Sequence, residues 1–291
     1  MIEGFFIDML ITKDIFCWIE SCWGKISIAY DDPIWLALIE QAFRDKTAGF
    51  EGGQKYPFCV RLVGQSGAGK TSQLLPAVKK ALRQNKKTFI SFAVRDFVQY
   101  HPDLENISQN YGEAFLRERT NTFALILLTN VLLRCIAEKM PILLEVTLLS
   151  PIYEQYLHAA FVEKSYFCDY QCLAVPKNVS NDWIQKRFLA TGRVVSNSSI
   201  DFFYSTLEPV FKFLQKTSLQ NRVFVWDRVH AKPLISCLQD PELYNKIQSA
   251  RALEGPFLSL ESAIATKMIF LCDYYRSHGI AGIKNDRKEG L

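Results

Sequence analysis

The sequence predicts an α/β fold in which a mostly parallel sheet is covered by helices on both faces. From Phe58 onward, short apolar runs alternate with longer amphipathic stretches, the pattern of strands connected by helices. A glycine-rich segment over residues 64–71 joins the first of these strands to the first of these helices. The residues before 55 and beyond 240 carry apolar side chains at helical spacing, which predicts extra helices at both termini.

Length and composition indicate how the chain is divided. It has 291 residues, of which 49% are hydrophobic and 22% are charged. This composition excludes a disordered or low-complexity protein, and the length suits one main domain. We predict a helical N-terminal extension over residues 1–55, the α/β domain over 56–240 and a helical C-terminal extension over 241–291. The appended helices could cover the sheet or form a docking surface for a partner.

Charge and hydropathy indicate whether the protein binds nucleic acid or membranes. Lysine and arginine outnumber aspartate and glutamate by 34 to 30, a net charge of +4, which is too small to predict nucleic-acid binding. The apolar N-terminus lacks the basic start of a secretory signal, and the longest apolar segment, Phe123–Ile136, is too short to span a bilayer. We therefore expect an intracellular protein that binds neither nucleic acid nor membrane.

The eight cysteines predict reduced, buried thiols. No Cys-x-x-Cys pair is present, and several cysteines lie in apolar runs that are typical of a core. Cys168 and Cys172 are four residues apart, but no histidine or second cysteine pair accompanies them as a zinc site would require. We expect a reducing compartment.

The alternating pattern predicts particular elements. The predicted strands are Phe58–Val63, Thr88–Val94, Ile142–Val146, Gln171–Val175 and Val223–Trp226. The clearest predicted helices are Lys70–Gln84, Ala114–Lys139, Asn181–Ala190, Ser199–Lys216 and Glu261–Ser277.

An unbroken G-x-x-x-x-G-K-T motif spans residues 64–71, directly after the first predicted strand. Its glycines let the backbone curl so that successive N–H groups point at phosphate oxygens. Lys70 would neutralise charge on the β- and γ-phosphates, and the Thr71 hydroxyl would bind Mg²⁺. We predict a nucleoside triphosphate site formed by Gly64, Gln65, Ser66, Gly67, Ala68, Gly69, Lys70, Thr71 and Ser72.

This loop alone does not select a reaction, because P-loop proteins include kinases, motors and GTPase switches. The Asn/Thr-Lys-x-Asp signature of guanine recognition is missing from the sequence, which disfavours a GTPase. The fold expected around such a loop is the three-layer P-loop NTPase/kinase fold.

Four ordered segments between Phe58 and Arg228 resemble the zeta toxins, P-loop kinases of bacterial toxin–antitoxin systems. The family's loop, G-Q-x-G-x-G-K-T, matches residues 64–71. Residues 142–147 are similar to the family's strand ending in E-G-T. The remaining matches are Phe97, His101, Pro102 and Tyr111, then the run Ala174-Val175-Pro176-Lys177 with Ser180, Arg187 and Phe188.

The resemblance implies a kinase that transfers the γ-phosphoryl group of ATP to a hydroxyl of a nucleotide-sugar-like acceptor, UDP-N-acetylglucosamine, with Mg²⁺ as cofactor. It also implies a protein antitoxin as partner and a location in the bacterial cytoplasm, or in the host cytosol for a translocated effector. An alternative from another class is a nucleotide-binding effector or interaction protein whose kinase chemistry is degenerate or repurposed.

Glu145 and Thr147 are candidate substrate-binding residues, and Glu145 is also a candidate catalytic residue. Glu145 ends a buried predicted strand, at the edge where open α/β sheets bind ligands. A carboxylate there can orient a Mg²⁺-bound water or a substrate hydroxyl; the alternative is a capping or salt-bridged side chain. Val146 replaces the glycine of E-G-T and crowds this backbone.

Arg187 and Arg193 are candidate catalytic residues because paired arginines near a P-loop can stabilise a transferring phosphoryl group. Arg187 could instead belong to a solvated face with Lys186, and the six-residue separation of the two arginines is shorter than the family's. His101 is expected to be structural. Asp227, at the end of the last predicted strand, is a secondary metal candidate.

The sequence departs from the family at the presumed general base, the Asp of a D-x-F motif six residues before the His. That position is Arg95 here, and Asp96 is its neighbour. One residue along a helical turn rotates a side chain by about 100°. Three alternatives follow: Asp96 serves as the catalytic base, Arg95 binds an anionic substrate, or the protein binds nucleotide without transferring phosphate.

Overall fold

The computed structural model describes residues 11–50, 52–55, 57–84, 86–146, 150–191, 201, 205–216, 221–227, 229, 233–237 and 239–253. The predicted helix Glu261–Ser277 and most of the C-terminal extension lie outside the described residues, as does the start of the predicted helix Ser199–Lys216. The rest forms the predicted three-layer α/β architecture.

Six strands form one sheet in the order β2-β3-β1-β4-β5-β6. They are β1 Phe58–Val63, β2 Ile90–Ala93, β3 Ile142–Glu145, β4 Phe167–Leu173, β5 Asn221–Trp226 and β6 Leu234–Ser236. All neighbours are parallel except β5 and β6. Because β1 lies at the centre, the loop that follows it opens at the carboxyl edge between β3 and β4, where ligands bind in open α/β sheets.

The helices lie between and around these strands. They are α1 Lys13–Trp23, α2 Ile34–Thr47, α3 Leu75–Gln84, α4 Leu104–Tyr111, α5 Glu113–Ala137, α6 Pro151–Glu163, α7 Lys177–Thr191, α8 Leu207–Leu214 and α9 Leu243–Ala252. A wider π-helical turn, Lys70–Leu74, leads into α3, and a 3₁₀ segment, Val94–Tyr100, follows β2.

The two faces of the sheet are covered by different helices. Alternate residues of β1 separate them: Val60 and Leu62 pack with the apolar side of α3, whereas Cys59 and Val63 pack with the larger cluster on the other face. That larger cluster takes apolar residues from α1, α2, α5, α6, α8 and α9. Such alternation is what a sheet buried on both faces requires.

The two N-terminal helices form part of this larger core. Trp35 of α2 stacks on Phe123 of α5 with ring centroids 5.3 Å apart. The backbone N–H of Ile11 donates a hydrogen bond of 2.9 Å to the Asn130 side chain in the same long helix. The described N-terminal residues therefore cover α5, which itself lies in the core beside the sheet.

Helix α5 is long and contains a largely apolar segment. Its segment Glu118–Ala137 has the length and hydropathy of a membrane span, but 78% of its most apolar window is buried inside the protein. Phe123, Leu127 and Val131 are fully buried in the core. Burial by protein accounts for this hydropathy, as expected for a central helix of a globular domain.

Candidate active site

The loop after β1, residues 64–71, is the candidate phosphate-binding loop, called the cradle below, and it contains three glycines. Gly64, Gly67 and Gly69 have φ angles of 147°, 76° and 99°, in the region that favours glycine. A Cβ atom at Gly67 would lie 2.3 Å from the carbonyl oxygen of Ser180, and one at Gly64 would lie 2.8 Å from that of Leu173. Side chains at Gly64 and Gly67 would therefore collide with the backbone of Leu173 and Ser180, so only glycine lets the loop pack this closely on these segments.

Gln65 anchors the cradle to the elements beside it. Its side chain is fully buried, and its amide donates hydrogen bonds to the Val175 carbonyl oxygen (2.7 Å) and the Ser180 hydroxyl (3.0 Å). The side-chain amide oxygen of Gln65 accepts a longer contact of 3.4 Å from the guanidinium of Arg251 in α9. The Gln65 side chain thus faces protein, and only its backbone is left to face a nucleotide.

Lys70 folds back over the same loop. Its ammonium group donates hydrogen bonds to the carbonyl oxygens of Gly64 (2.5 Å) and Gln65 (2.9 Å). Burial lowers the pKa of Lys70 to about 8; Glu145 opposes this shift and Arg187 adds to it. The ammonium group of Lys70 is therefore partly desolvated where it lies over the loop.

Glu145 and Thr71 meet at the mouth of the cradle. Glu145 is the last residue of β3, and its carboxylate accepts a hydrogen bond from the Thr71 hydroxyl. The same carboxylate accepts a second hydrogen bond, of 2.9 Å, from the Arg95 guanidinium, which also lies 3.4 Å from the Thr71 hydroxyl oxygen. Arg95, which stands where the sequence departs from the family, therefore contacts both Glu145 and Thr71.

Arg187 lies on α7, which packs on the cradle through the close approach of Ser180 to Gly67. Its guanidinium is half-buried, and burial lowers its pKa. The positive charge of Arg187 contributes to the lowered pKa of Lys70, so the two side chains lie close enough for their charges to repel each other. Two converging cations of this kind suit a polyphosphate chain.

Comparison with protein families matches residues 40–236 to the zeta toxin family. The chain belongs to this family. The match includes the carboxyl-terminal half of α2 as well as the sheet, so part of the N-terminal helical region lies inside it.

A solved structure with a TM-score above 0.5 shows the same fold, and two further structures are reported beside it as similar. A structure from the PezAT toxin–antitoxin system of Streptococcus pneumoniae is 19% identical to this chain with a TM-score of 0.59, covering 84% of this chain and 97% of that chain. The AvrRxo1-ORF1:-ORF2 complex is 12% identical (TM-score 0.49; 86% and 97% covered), and a putative kinase from Chloroflexus aurantiacus is 14% identical (TM-score 0.41; 79% and 100% covered). Among curated proteins, none matches significantly. The protein is thus a P-loop kinase of the zeta toxin family.

Asp96 points away from the cradle of this zeta toxin family member. Its carboxylate lies 2.7 Å from the ammonium group of Lys46 in α2 and accepts a longer contact of 3.3 Å from the backbone N–H of Ala93. Lys46 also donates to the Ser91 carbonyl oxygen (3.1 Å) and lies over the Phe97 ring. No hydrogen bond between Asp96 and Thr71 or Lys70 is found in the described part of the chain.

Two other candidates occupy local structural positions. His101 packs on Phe123 at 4.6 Å between ring centroids, and its Nδ1 accepts a hydrogen bond from the Asp103 N–H; burial lowers its pKa. Asp227 is buried after β5 and accepts a hydrogen bond of 2.7 Å from the Val229 N–H. Arg193 and Thr147 lie outside the described residues, so their roles remain predictions.

The residues present fit a nucleoside triphosphate with Mg²⁺. The loop contains three glycines in positive-φ conformations, and the half-buried Lys70 supplies a cation over it. Thr71 offers a hydroxyl oxygen, a hard ligand of the kind that Mg²⁺ prefers, and the Glu145 carboxylate beside it can orient a Mg²⁺-bound water or a substrate hydroxyl. Of the other predicted loop residues, Ala68 is buried, Ser66 is partly exposed and Ser72 is exposed in the first helical turn. A group of three or more His, Cys, Asp or Glu side chains suited to a metal by itself is not found among the described residues.

Proposed function

We propose that the protein transfers the γ-phosphoryl group of ATP to a hydroxyl of a small-molecule acceptor, with Mg²⁺ as cofactor. The observation that carries this proposal is the convergence of Lys70, Thr71, Glu145 and Arg187 around one glycine cradle. Family membership supplies the reaction class, and the four side chains supply the charges that phosphoryl transfer needs.

Lys70 and Arg187 stabilise negative charge during transfer. Both are partly desolvated, and a desolvated cation interacts more strongly with phosphate oxygens than one in water. When a triphosphate is bound, Lys70 exchanges its hydrogen bonds to loop carbonyl oxygens for contacts with phosphate oxygens. Thr71 would hold Mg²⁺, which neutralises charge on the β- and γ-phosphates when bound.

Glu145 is the carboxylate we assign to the acceptor hydroxyl. It accepts the hydroxyl proton as the acceptor oxygen bonds to the γ-phosphorus atom, and the bond from phosphorus to the bridging oxygen breaks to leave ADP. Its position beside Thr71 supports this role, because the hydroxyl must approach the γ-phosphate from the mouth of the cradle. Asp96 could serve as the base only after leaving Lys46.

The acceptor proposed from the resemblance is a nucleotide sugar such as UDP-N-acetylglucosamine. The test is incubation of the protein with γ-labelled ATP, Mg²⁺ and either this compound or a bacterial metabolite extract, followed by separation of labelled products. Label transferred to a metabolite by the native chain but not by Lys70→Met supports a kinase. ATP binding without any labelled acceptor supports the alternative of a binding protein.

One observation favours that alternative. The Arg95 guanidinium already holds the Glu145 carboxylate at 2.9 Å, and it stands where the family carries its presumed base. A nucleotide-binding effector with degenerate or repurposed chemistry would tolerate such a contact. The two functions separate on Arg95→Ala, which releases Glu145: a kinase changes its transfer rate, whereas a binding protein shows no transfer with either residue.

A protein antitoxin is the partner we propose. The support is family membership and the similarity to a structure from a toxin–antitoxin system of Streptococcus pneumoniae. The compartment proposed is the bacterial cytoplasm, or the host cytosol for a translocated effector. Co-expression with the neighbouring open reading frames, followed by co-purification and a growth assay, tests whether a neutralising protein exists.

A further inference from the structure

Helix α9, Leu243–Ala252, lies beyond residues 40–236, the part of the chain that matches the zeta toxin family. Its apolar side is anchored in the core, because Leu243 and Ile247 are fully buried and Ala250 is nearly so. The next residue, Arg251, is only 4% exposed although it carries a charge. Burial of a cation is costly, so the contacts of Arg251 indicate what this helix contributes to the protein.

Arg251 contacts the cradle through Gln65. Its guanidinium lies 3.4 Å from the side-chain amide oxygen of Gln65. A second observation places Arg251 in the same region: burial raises the pKa of the Cys172 thiol to about 11, and the charges of Arg251 and Lys70 oppose this shift. Cys172 is the next-to-last residue of β4. Arg251 therefore lies at the carboxyl edge of the sheet, close enough to act on the same thiol as Lys70.

The cation of Arg251 selects one orientation of the Gln65 amide. In this orientation the amide nitrogen donates to the Val175 carbonyl oxygen at 2.7 Å and to the Ser180 hydroxyl at 3.0 Å, while the amide oxygen faces the guanidinium. Exchanging the positions of the amide oxygen and nitrogen would turn the oxygen toward the Val175 carbonyl oxygen and the N–H groups toward Arg251. Both of those contacts are repulsive, so Arg251 disfavours the exchanged orientation.

The Gln65 amide in turn fixes where α7 lies against the cradle. Ser180, Ile184 and Arg187 lie on one face of α7, because they are one turn apart along the helix. The first two approach the cradle closely: a Cβ atom at Gly67 would lie 2.3 Å from the Ser180 carbonyl oxygen and 2.9 Å from the Ile184 side chain. A shift of Ser180 away from Gln65 would therefore also displace Arg187, the cation that we assign to the transferring phosphoryl group.

We propose that Arg251 is a positioning residue of this kinase, which orients the Gln65 side chain and thereby holds Arg187 of α7 at the cradle. This inference rests on the proposed function. Arg251 itself touches neither the nucleotide nor the acceptor, and its effect on transfer passes through Gln65. Helix α9 then belongs to the catalytic machinery, although it lies outside the part of the chain that the family match covers.

A double-mutant cycle in the full chain tests whether Arg251 acts through Gln65. Two quantities are measured: the affinity for a non-hydrolysable ATP analogue with Mg²⁺, by calorimetry, and the rate of phosphoryl transfer from labelled ATP. We expect Arg251→Met to lower the transfer rate at least tenfold and the analogue affinity at least threefold. In a chain that already carries Gln65→Met, the same change should alter either quantity by less than twofold, because the residue that transmits its effect is gone.

Lys246→Met is the matched control, because it removes a cation from the same helix whose ion-pair partner is Asp240. Both quantities should equal those of the native chain. Arg251→Lys keeps a cation near the amide oxygen, so its losses should be clearly smaller than those of Arg251→Met. If Arg251→Met does not fold, Gln65→Met alone must lower the transfer rate at least tenfold, and an undiminished rate overturns the proposal.

Three other results would overturn the role of Arg251. Arg251→Met might lower only the melting temperature, its losses might be as large in the Gln65→Met background as in the native one, or Arg251→Lys might lose as much as Arg251→Met. A native chain that binds the analogue but transfers no label would instead refute the proposed function, and the affinity cycle would still test the link between Arg251 and Gln65.

Discussion

The ammonium group of Lys46 lies 2.7 Å from the Asp96 carboxylate, joining a helix near the N-terminus to the 3₁₀ segment that follows β2. Arg95, the preceding residue, points to Glu145 and Thr71 instead. Two consecutive residues therefore face different partners, as a helical turn requires. A shift of one position in the family motif thus brings a cation to the cradle and holds the neighbouring carboxylate against a lysine.

Replacing each of the two carboxylates, Glu145 and Asp96, by its amide tests which one accepts the proton from the acceptor hydroxyl. We expect Glu145→Gln to reduce phosphoryl transfer by about a hundredfold or more, the scale of general-base catalysis. Asp96→Asn should leave transfer within a few-fold of native, because its carboxylate contacts Lys46 and the backbone. Steady-state rates at saturating ATP measure both, with nucleotide affinity as the control.

The opposite pattern would assign the base to Asp96, namely a hundredfold loss in Asp96→Asn with an unchanged melting temperature. A fall in melting temperature with retained transfer is the pattern expected for Asp96→Asn, because the half-buried Lys46 would lose its charged partner.

Removal of the loop lysine should weaken nucleotide binding strongly. Lys70→Met deletes the cation that the cradle already holds against the Gly64 and Gln65 carbonyl oxygens. We expect ATP affinity to fall by more than tenfold in calorimetry, with the melting temperature of the nucleotide-free protein changed little. Lys80→Met, an exposed lysine of α3, is the control. Unchanged ATP affinity in Lys70→Met would refute the assignment of the loop.

The lowered pKa of Lys70 predicts pH-dependent nucleotide binding. Its value of about 8 means that the ammonium is mostly charged at pH 7 and mostly neutral at pH 9. Because phosphate oxygens favour the charged form, ATP affinity should fall about tenfold between these pH values, with proton uptake on binding at pH 9. Calorimetry in buffers of different ionisation enthalpy measures that uptake. Lys70→Arg, which stays charged, should bind ATP with a flatter pH profile; an equally steep profile would assign the titration to another group.

Much of the sheet could be predicted from the sequence because each central strand is a short apolar run. The predicted strand Phe58–Val63 matches β1, and the cradle follows it as the motif requires. Strand β4 begins at Phe167, four residues before the prediction, because Asp169 breaks the apolar run while pairing with Arg222 of β5. Helix α6 was not predicted; its start is fixed by Ser150, whose hydroxyl accepts a hydrogen bond from the Tyr153 N–H.

The candidate site could be predicted only where its residues belong to local motifs. Glu145 ends β3, and Thr71 belongs to the loop that follows β1. Because β1 and β3 are parallel neighbours, both residues lie at the carboxyl edge of the sheet, where they meet. The contact of Lys46 with Asp96 joins residues 50 positions apart, and no periodicity in either segment indicates it. For Lys79, the helical pattern likewise predicts only a position on the polar side of α3 and does not indicate which residues lie beside it.

Arg187 offers the sharpest test of transition-state stabilisation. Its half-buried guanidinium acts on the same region as Lys70, but it lies on α7 and not on the cradle itself. A cation that interacts more strongly with the transferring phosphoryl group than with bound ATP affects kcat more than nucleotide affinity. We therefore expect Arg187→Ala to lower kcat by at least a hundredfold and ATP affinity by no more than about threefold. The exposed neighbour Lys186 gives the matched control, and Lys186→Ala should leave both quantities unchanged. Equal losses in kcat and affinity would make Arg187 a ligand of ground-state ATP, and no loss in either would place it on the solvated face with Lys186.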